Sequence, residues 1–216
     1  MAADFTPRQT GEINVGLGCL EAGTCLTLDP IFKSIESLTD SSTGEKSRLF
    51  VDYFGPGDTE YKYNQGKIVF NTRDAGTNSL GYWFRPSEVN EEKGQLEVGT
   101  YLFTFEKTFA ELAIDFFDTE YSNETGVLAI NGEAITPNYV AKGPDGNIVR
   151  QTFYNVNSIV LALGFDKEKG TGDGVNFRIS GTPVADVPEP ASILGLLAVA
   201  GLGFASRRQQ AQPTEG

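Results

Sequence analysis

Two apolar segments lie close together near the middle of the chain: Thr100-Tyr101-Leu102-Phe103-Thr104-Phe105 and, four residues later, Ala110-Glu111-Leu112-Ala113-Ile114-Asp115-Phe116-Phe117. In an extended chain, successive side chains point to opposite faces, so Leu112, Ile114 and Phe116 share one face and the residues between them share the other. Aromatic and β-branched residues favour strands over helices. The pattern therefore predicts two β-segments, 100–105 and 110–117.

The rest of the chain continues this pattern, with short apolar segments separated by turn residues. Gly at 25 and Phe at 15 of 216 residues, with a single Met, is typical of strands and turns. The clearest turn is Asn131-Gly132, a dipeptide favoured in two-residue hairpins. Further strands are predicted at 49–54, 66–70, 126–130, 158–165 and 175–179.

Many short strands without alternating helical segments predict an all-β fold, an antiparallel β-sandwich of jelly-roll-like type. We assign 1–11 to an N-terminal extension, 12–182 to the sandwich, 183–187 to a linker, and 188–216 to a tail with a hydrophobic helix. One short helix is also predicted in the body after Asp29-Pro30, because Ile31, Ile35 and Leu38 recur at helical spacing.

Charge and composition exclude several functions. The chain has 17 basic and 29 acidic residues, a net charge of −12, which disfavours nucleic acid as a partner. It has no histidine, which excludes Ser-His-Asp and Cys-His catalysis and ordinary zinc enzymes. A glycan hydrolase would need two carboxylates in defined positions, and no pair is marked among the scattered acids. We therefore expect a protein without catalytic residues.

The two cysteines lie close together in Gly18-Cys19-Leu20-Glu21-Ala22-Gly23-Thr24-Cys25. A Gly-containing turn between Cys19 and Cys25 allows a small disulfide loop in an oxidising compartment. The alternative is two free thiols on adjacent strands, so the disulfide is expected on the condition that the protein is exported.

The last 30 residues form a segment of a different kind. Pro188-Glu189-Pro190 precedes an apolar run that ends at Ala205, and Arg207-Arg208 follows. Residues 191–205 would form a helix of about 22 Å, whereas a bilayer core is about 30 Å thick. Such a helix is short for a permanent span, and the arginines would stay on the cytoplasmic side. The alternative is a hydrophobic helix that packs on the domain or anchors it.

This tail resembles the PEP-CTERM sorting signal, in which a Pro-Glu-Pro motif, a hydrophobic segment and a basic end occur in this order. The resemblance implies that an exosortase-type enzyme cuts near Pro188-Glu189-Pro190 and that the protein passes to the cell surface or the extracellular matrix. Before processing, residues 191–205 would hold the precursor in the membrane, and Arg207 and Arg208 would help to retain it.

The body resembles the LEVG family of PEP-CTERM proteins. Four motifs in the same order carry this likeness: Tyr82-Trp83-Phe84-Arg85-Pro86, Gly94-Gln95-Leu96-Glu97-Val98-Gly99-Thr100, Phe116-Phe117-Asp118-Thr119-Glu120 and Gly172-Asp173-Gly174-Val175-Asn176-Phe177. The family brings no established activity with it. Its members should begin with a secretory signal peptide, and residues 1–7 have neither a basic start nor an apolar segment, so we expect a truncated or misassigned start.

Two ligand classes are candidates for the body. Asp118, Glu120 and Asp173 lie in turn regions and could together supply oxygen ligands to calcium, as could Asp52 beside Gly55-Pro56-Gly57. The alternative is that these residues form turns by bonding their own backbone. A surface polysaccharide is the other candidate, since exposed aromatic faces stack on sugar rings, and it makes a carbohydrate-binding module the alternative function. The aromatics in question are Tyr61, Tyr63, Tyr82 and Trp83, which could equally fill a sheet face as cross-strand pairs.

Overall fold

The computed structural model describes residues 2–21, 23–54, 59–63, 66–70, 81–87, 98–144, 146–165 and 175–185, with backbone only at 54, 59–63 and 66–70. Residues 1–184 form one compact unit and residues 185–216 another. The first unit is built from strands: β1 Ala3–Asp4, β2 Gly11–Ile13, β3 Phe32–Leu38, β4 Arg48–Phe54, β5 Thr59–Tyr63, β6 Gly66–Phe70, β7 Gly81–Ser87, β8 Gly99–Phe117, β9 Gly126–Ile130, β10 Glu133–Tyr139, β11 Ile148–Leu163 and β12 Asn176–Pro183.

The strands pair in an antiparallel fashion, which confirms the all-β prediction. In a ten-stranded sheet the order is β10-β9-β11-β8-β12-β7-β4-β2, with β1 beside β12 and β3 beside β8, while β5 and β6 pair with each other. The described residues contain no helix.

Strand β8 lies at the centre of the sheet. The two predicted segments, 100–105 and 110–117, belong to this single strand. One edge of β8 pairs with β11 along its length, and the other pairs first with β3 and then with β12. As predicted, Leu112, Ile114 and Phe116 share one buried face. Phe117 on the opposite face is only 1% exposed, so both faces of this part of β8 are covered.

A bulge divides β8 into two halves. Phe109 lies opposite Val156 of β11, whereas Thr104 lies opposite Ser158. Between these two pairs, β8 contains three more residues than β11. Extra residues of this kind bend a strand and increase its twist. The sheet therefore changes direction between the part of β8 that pairs with β3 and the part that pairs with β12.

The bend brings distant parts of the sheet together around an aromatic core. Phe84 of β7 lies 6.4 Å from Phe32 of β3 and 6.3 Å from Phe103 of β8, measured between ring centroids. It also stacks on Phe177 of β12 at 5.0 Å. All four rings are buried, and β3 and β7 are not neighbours in the sheet, so the contacts join two faces across a core.

The helix predicted after Pro30 is wrong, because residues 32–38 form strand β3. The helical spacing of apolar residues has a local cause. Phe32 pairs with Phe105 while Ser34 pairs with Thr104, so Lys33 is an additional residue in the strand. A bulge shifts the alternation by one position, and Phe32 and Ile35 are both buried although they are three residues apart.

The predicted hairpin at Asn131-Gly132 is confirmed. These residues join β9 to β10, and both have positive φ, 55° and 79°, as a type I′ turn requires. The Asn131 side chain also fixes the turn against β11. Its Oδ1 accepts a hydrogen bond from the backbone N–H of Asn157 at 2.8 Å, and its Nδ2 donates to the carbonyl of Asn155 at 2.8 Å.

Candidate functional site

The structure joins Cys19 and Cys25 by a disulfide, with their Cα atoms 5.7 Å apart. The closed loop is anchored to the sheet by Glu12 of β2. One oxygen of this carboxylate accepts a hydrogen bond from the N–H of Leu20 at 2.6 Å, and the other pairs with Arg48 at 2.6 Å. The sequence pattern did not identify Glu12 or Arg48, since they are 36 positions apart and meet only because β2 and β4 pair.

Asp118, one of the candidate calcium ligands, organises a turn. It follows β8 with φ 57° and is 6% exposed. Its N–H donates to the carbonyl of Asn147 at 2.9 Å, and its carboxylate accepts a hydrogen bond from the N–H of Gly146 at 2.7 Å. Asp118 therefore holds the connection between β10 and β11 against the end of β8.

Two further polar residues, Thr119 and Asn147, complete this turn. The Thr119 hydroxyl donates to Oδ1 of Asn147 at 2.9 Å, and Nδ2 of Asn147 donates to the carbonyls of Thr119 and Pro144 at 2.7 and 3.0 Å. The turn residues Pro144 and Asn147 are visible in the sequence, but their partner Thr119 lies 28 positions earlier. We name residues 118, 119, 146 and 147 the Asp118 turn.

The calcium prediction is not settled by these contacts. Glu120 is half-buried beside the Asp118 turn, and Asp173 lies outside the described residues. Within the part of the chain that the structure describes, no three Asp, Glu, Cys or His side chains are grouped so that they could hold a metal ion. The calcium site at Asp118, Glu120 and Asp173 stays a prediction.

Asp52 is not placed to serve as an open cation ligand. It is 5% exposed, and its Oδ2 pairs with Nη1 of Arg85 at 3.1 Å while its Oδ1 accepts the N–H of Tyr53 at 2.8 Å. Arg85 is itself 2% exposed. Removal of one partner from a buried ion pair leaves an uncompensated charge. The pair therefore holds β4 and β7 together and keeps the Asp52 carboxylate occupied.

The aromatic residues proposed to stack on sugars divide into two groups. Trp83 is 2% exposed and the guanidinium carbon of Arg178 lies 3.2 Å from its ring centroid, so the prediction that it stacks on a sugar is wrong. Tyr82 pairs across the strands with Tyr53, with ring centroids 5.0 Å apart, and Tyr53 is 41% exposed. The side chains of Tyr61 and Tyr63 lie outside the described residues.

Three residues of alternating charge lie side by side on β12, β8 and β11, on the face of the sheet opposite Ile114. Asp115 of β8 lies between Arg178 and Arg150 in the register. Arg150 makes two hydrogen bonds of 2.7 Å to the Asp115 carboxylate, and these bonds together with the opposite charge raise the pKa of Arg150. Arg178 differs, because burial lowers its pKa.

The residues of the sorting signal, Pro188, Glu189, Pro190, Arg207 and Arg208, lie outside the described residues, as does the apolar run 191–205. In the part of the chain that the structure describes, no helix is long and apolar enough to cross a membrane.

Comparison with known proteins identifies this tail. A family model described as the PEP-CTERM protein-sorting motif matches residues 186–209, which include both the Pro-Glu-Pro motif and the arginine pair. The search of curated proteins and the search of solved structures found no match. The motif supports a PEP-CTERM protein and implies an exported precursor that is targeted to an exosortase.

Proposed function

We propose that this chain is a non-enzymatic protein of the cell surface or extracellular matrix, which an exosortase-type enzyme releases from a membrane-held precursor. The match of residues 186–209 to the sorting motif carries the proposal. The absence of histidine from the sequence supports a binding or structural role rather than proton-transfer chemistry.

The length and the charge of the tail are consistent with transient insertion in the membrane. A helix over residues 191–205 would reach about 22 Å, less than the bilayer core of about 30 Å. Arg207 and Arg208 resist passage through the bilayer and would hold the end of the tail in the cytoplasm. Pro188-Glu189-Pro190 would then lie near the outer surface, where a processing enzyme can reach it.

The body fits an extracellular environment. A disulfide between Cys19 and Cys25 persists where conditions are oxidising and is rare in reducing compartments. The residues before Ala191 carry a net charge of −13, because the two arginines and one glutamate after it contribute +1 to the total of −12. A high net charge of one sign favours solubility over association.

We also propose that the body is a jelly-roll-like β-sandwich and that the tail contains a C-terminal hydrophobic helix. Contacts of Phe84 with Phe32 and Phe103 across the core support the sandwich, since they join strands that are not neighbours in the sheet. Assignment to the LEVG family rests on the four ordered motifs of the sequence.

Substitution of the sorting signal tests the proposal. Replacement of Pro188-Glu189-Pro190 by three alanines should leave a full-length form in the membrane fraction, because the processing enzyme loses its recognition motif. Replacement of Arg207 and Arg208 by alanine should weaken retention before cleavage. Replacement of Gln209 and Gln210 by alanine is the matched control and should leave processing unchanged. Normal maturation of the triple-alanine variant would contradict the proposal.

Carbohydrate binding is the alternative function, and the exposed Tyr53 beside Tyr82 favours it. A pull-down with surface polysaccharide should then retain the wild type and lose Tyr53→Ala. Tyr154→Ala is the matched control, because Tyr154 is a tyrosine of β11 that is 65% exposed. Equal retention of both variants would leave Tyr53 and Tyr82 as an ordinary cross-strand pair.

A further inference from the structure

A small cleft lies where the N-terminal segment crosses β7 and β12. It has a volume of about 180 Å³ and is lined by Asp4, Thr6, Arg8, Gly81, Tyr82 and Arg178. Two of its six residues are arginines, in a protein whose net charge is −12. We call it the arginine cleft.

Arg178 is held rigidly at the edge of this cleft. Its guanidinium stacks on the buried Trp83 ring, and its Nε donates to the carbonyl of Tyr82 at 2.8 Å. The guanidinium also packs closely against Gly81, because a Cβ added to Gly81 would lie 2.5 Å from Nη2 and would force Arg178 to shift. An arginine fixed in this way presents its charge at little cost in side-chain entropy.

Arg8 brings a second positive charge to the same cleft. It is exposed and forms no ion pair with any of the residues that the structure describes. Burial and the proximity of Arg8 both lower the pKa of Arg178, whereas Asp4 and Asp115 raise it. Asp4 is the carboxylate that lines the cleft, so the lining residues carry two positive charges and one negative charge.

Thr6 supplies the third and most specific observation. Thr6 is 4% exposed, lines the cleft, and its hydroxyl has no hydrogen-bond partner. A buried polar group without a partner is costly, so native proteins rarely keep one without a reason. Its backbone N–H is already bonded to the Asp4 carboxylate at 2.9 Å, which draws that carboxylate toward the backbone.

We propose that the arginine cleft binds one small oxyanion, with Arg8 and Arg178 as cations and the Thr6 hydroxyl as a hydrogen-bond donor. Sulfate, phosphate and the carboxylate of an acidic sugar share this chemistry. A long polyanion is disfavoured, because the net charge of −12 repels it outside the cleft. The ligand is therefore a free anion or a single acidic sugar residue.

Calorimetric titration of the full chain with sulfate, galacturonate and galactose, at constant ionic strength set by chloride, tests this inference. Arg8→Gln should weaken binding of the charged ligands about tenfold, the equivalent of one charge-assisted hydrogen bond. Lys33→Gln is the matched control, since it removes one exposed positive charge on β3 and should leave affinity unchanged. Thr6→Val should also weaken binding about tenfold while it preserves the side-chain shape.

Each outcome has a definite meaning. Binding of sulfate alone identifies a free-anion site, and binding of galacturonate but not galactose identifies an acidic-sugar site. Failure of both charged ligands to bind, or equal affinity of Arg8→Gln and Lys33→Gln, would overturn the proposal. A Thr6→Val variant that is more stable and binds as well as wild type would show that the hydroxyl has no part in binding. The cleft lies within residues 4–178, so its test does not depend on the sorting proposal.

Discussion

At the scale of single residues, the buried carboxylate of Asp118 holds two connections together by accepting a hydrogen bond from the N–H of Gly146. Asp118→Ala should lower the free energy of unfolding by about 1–3 kcal/mol, because the N–H of Gly146 loses its acceptor. Asp118→Asn should cost less, since Asn keeps an acceptor and tolerates positive φ. Urea unfolding measures both. Glu133→Ala, at an exposed position of β10, is the control and should change stability by less than about 0.5 kcal/mol.

The calcium prediction also belongs to this scale. If calcium joins Asp118, Glu120 and Asp173, it binds the folded state alone and stabilises it by about 2.7 kcal/mol at a concentration 100 times Kd. The melting temperature should then rise between chelator and millimolar calcium, and Asp118→Asn should reduce the rise. An unchanged melting curve would leave Asp118 as a residue that only organises its turn.

At the scale of elements, the Asn131-Gly132 hairpin depends on backbone conformation. Gly132 has φ 79°, and a Cβ added to it would meet nothing within 4 Å. Gly132→Ala should therefore destabilise the protein by about 1 kcal/mol through backbone strain alone. Gly132→Asn should cost less, because Asn adopts this conformation more readily. Equal stability of the two variants in thermal unfolding would contradict this account of the turn.

The elements differ in how far they could be predicted from sequence. Strand β8 and the hairpin at Asn131-Gly132 were predictable because alternation and turn chemistry are local properties. Strand β3 was not, because the bulge at Lys33 produces a three-residue spacing that resembles a helix. The covered outer face of β7 was equally hidden, since nothing near Trp83 in the sequence shows that Arg178 lies over its ring.

The candidate sites also differ in whether they depend on local sequence or on residues that are distant in the chain. The sorting tail is contiguous and could be recognised from its residues. The Asp118 turn joins residues 28 positions apart, and the arginine cleft joins Thr6 and Arg8 to Arg178, so both depend on strand pairing. Pairing of β1 with β12 and of β12 with β7 creates the cleft, and no local pattern specifies these pairs.

At the scale of the whole molecule, the disulfide both stabilises the fold and requires an oxidising compartment. Closure of a loop between residues six positions apart should stabilise the protein by about 2 kcal/mol through the entropy of the unfolded chain. Replacement of both Cys19 and Cys25 by serine should remove this contribution in urea unfolding. In protein taken from the cell surface, neither thiol should react with an alkylating reagent until a reductant is added.

The tail of this protein is expected to direct export and then to be removed. The intact mass of protein isolated from the cell surface shows whether both steps occur. Cleavage near Pro188-Glu189-Pro190 predicts a mature form that lacks residues 193–216 and is found outside the cytoplasm. A surface form whose mass still includes Arg207 and Arg208 would contradict removal of the tail and would identify it as a simple membrane anchor.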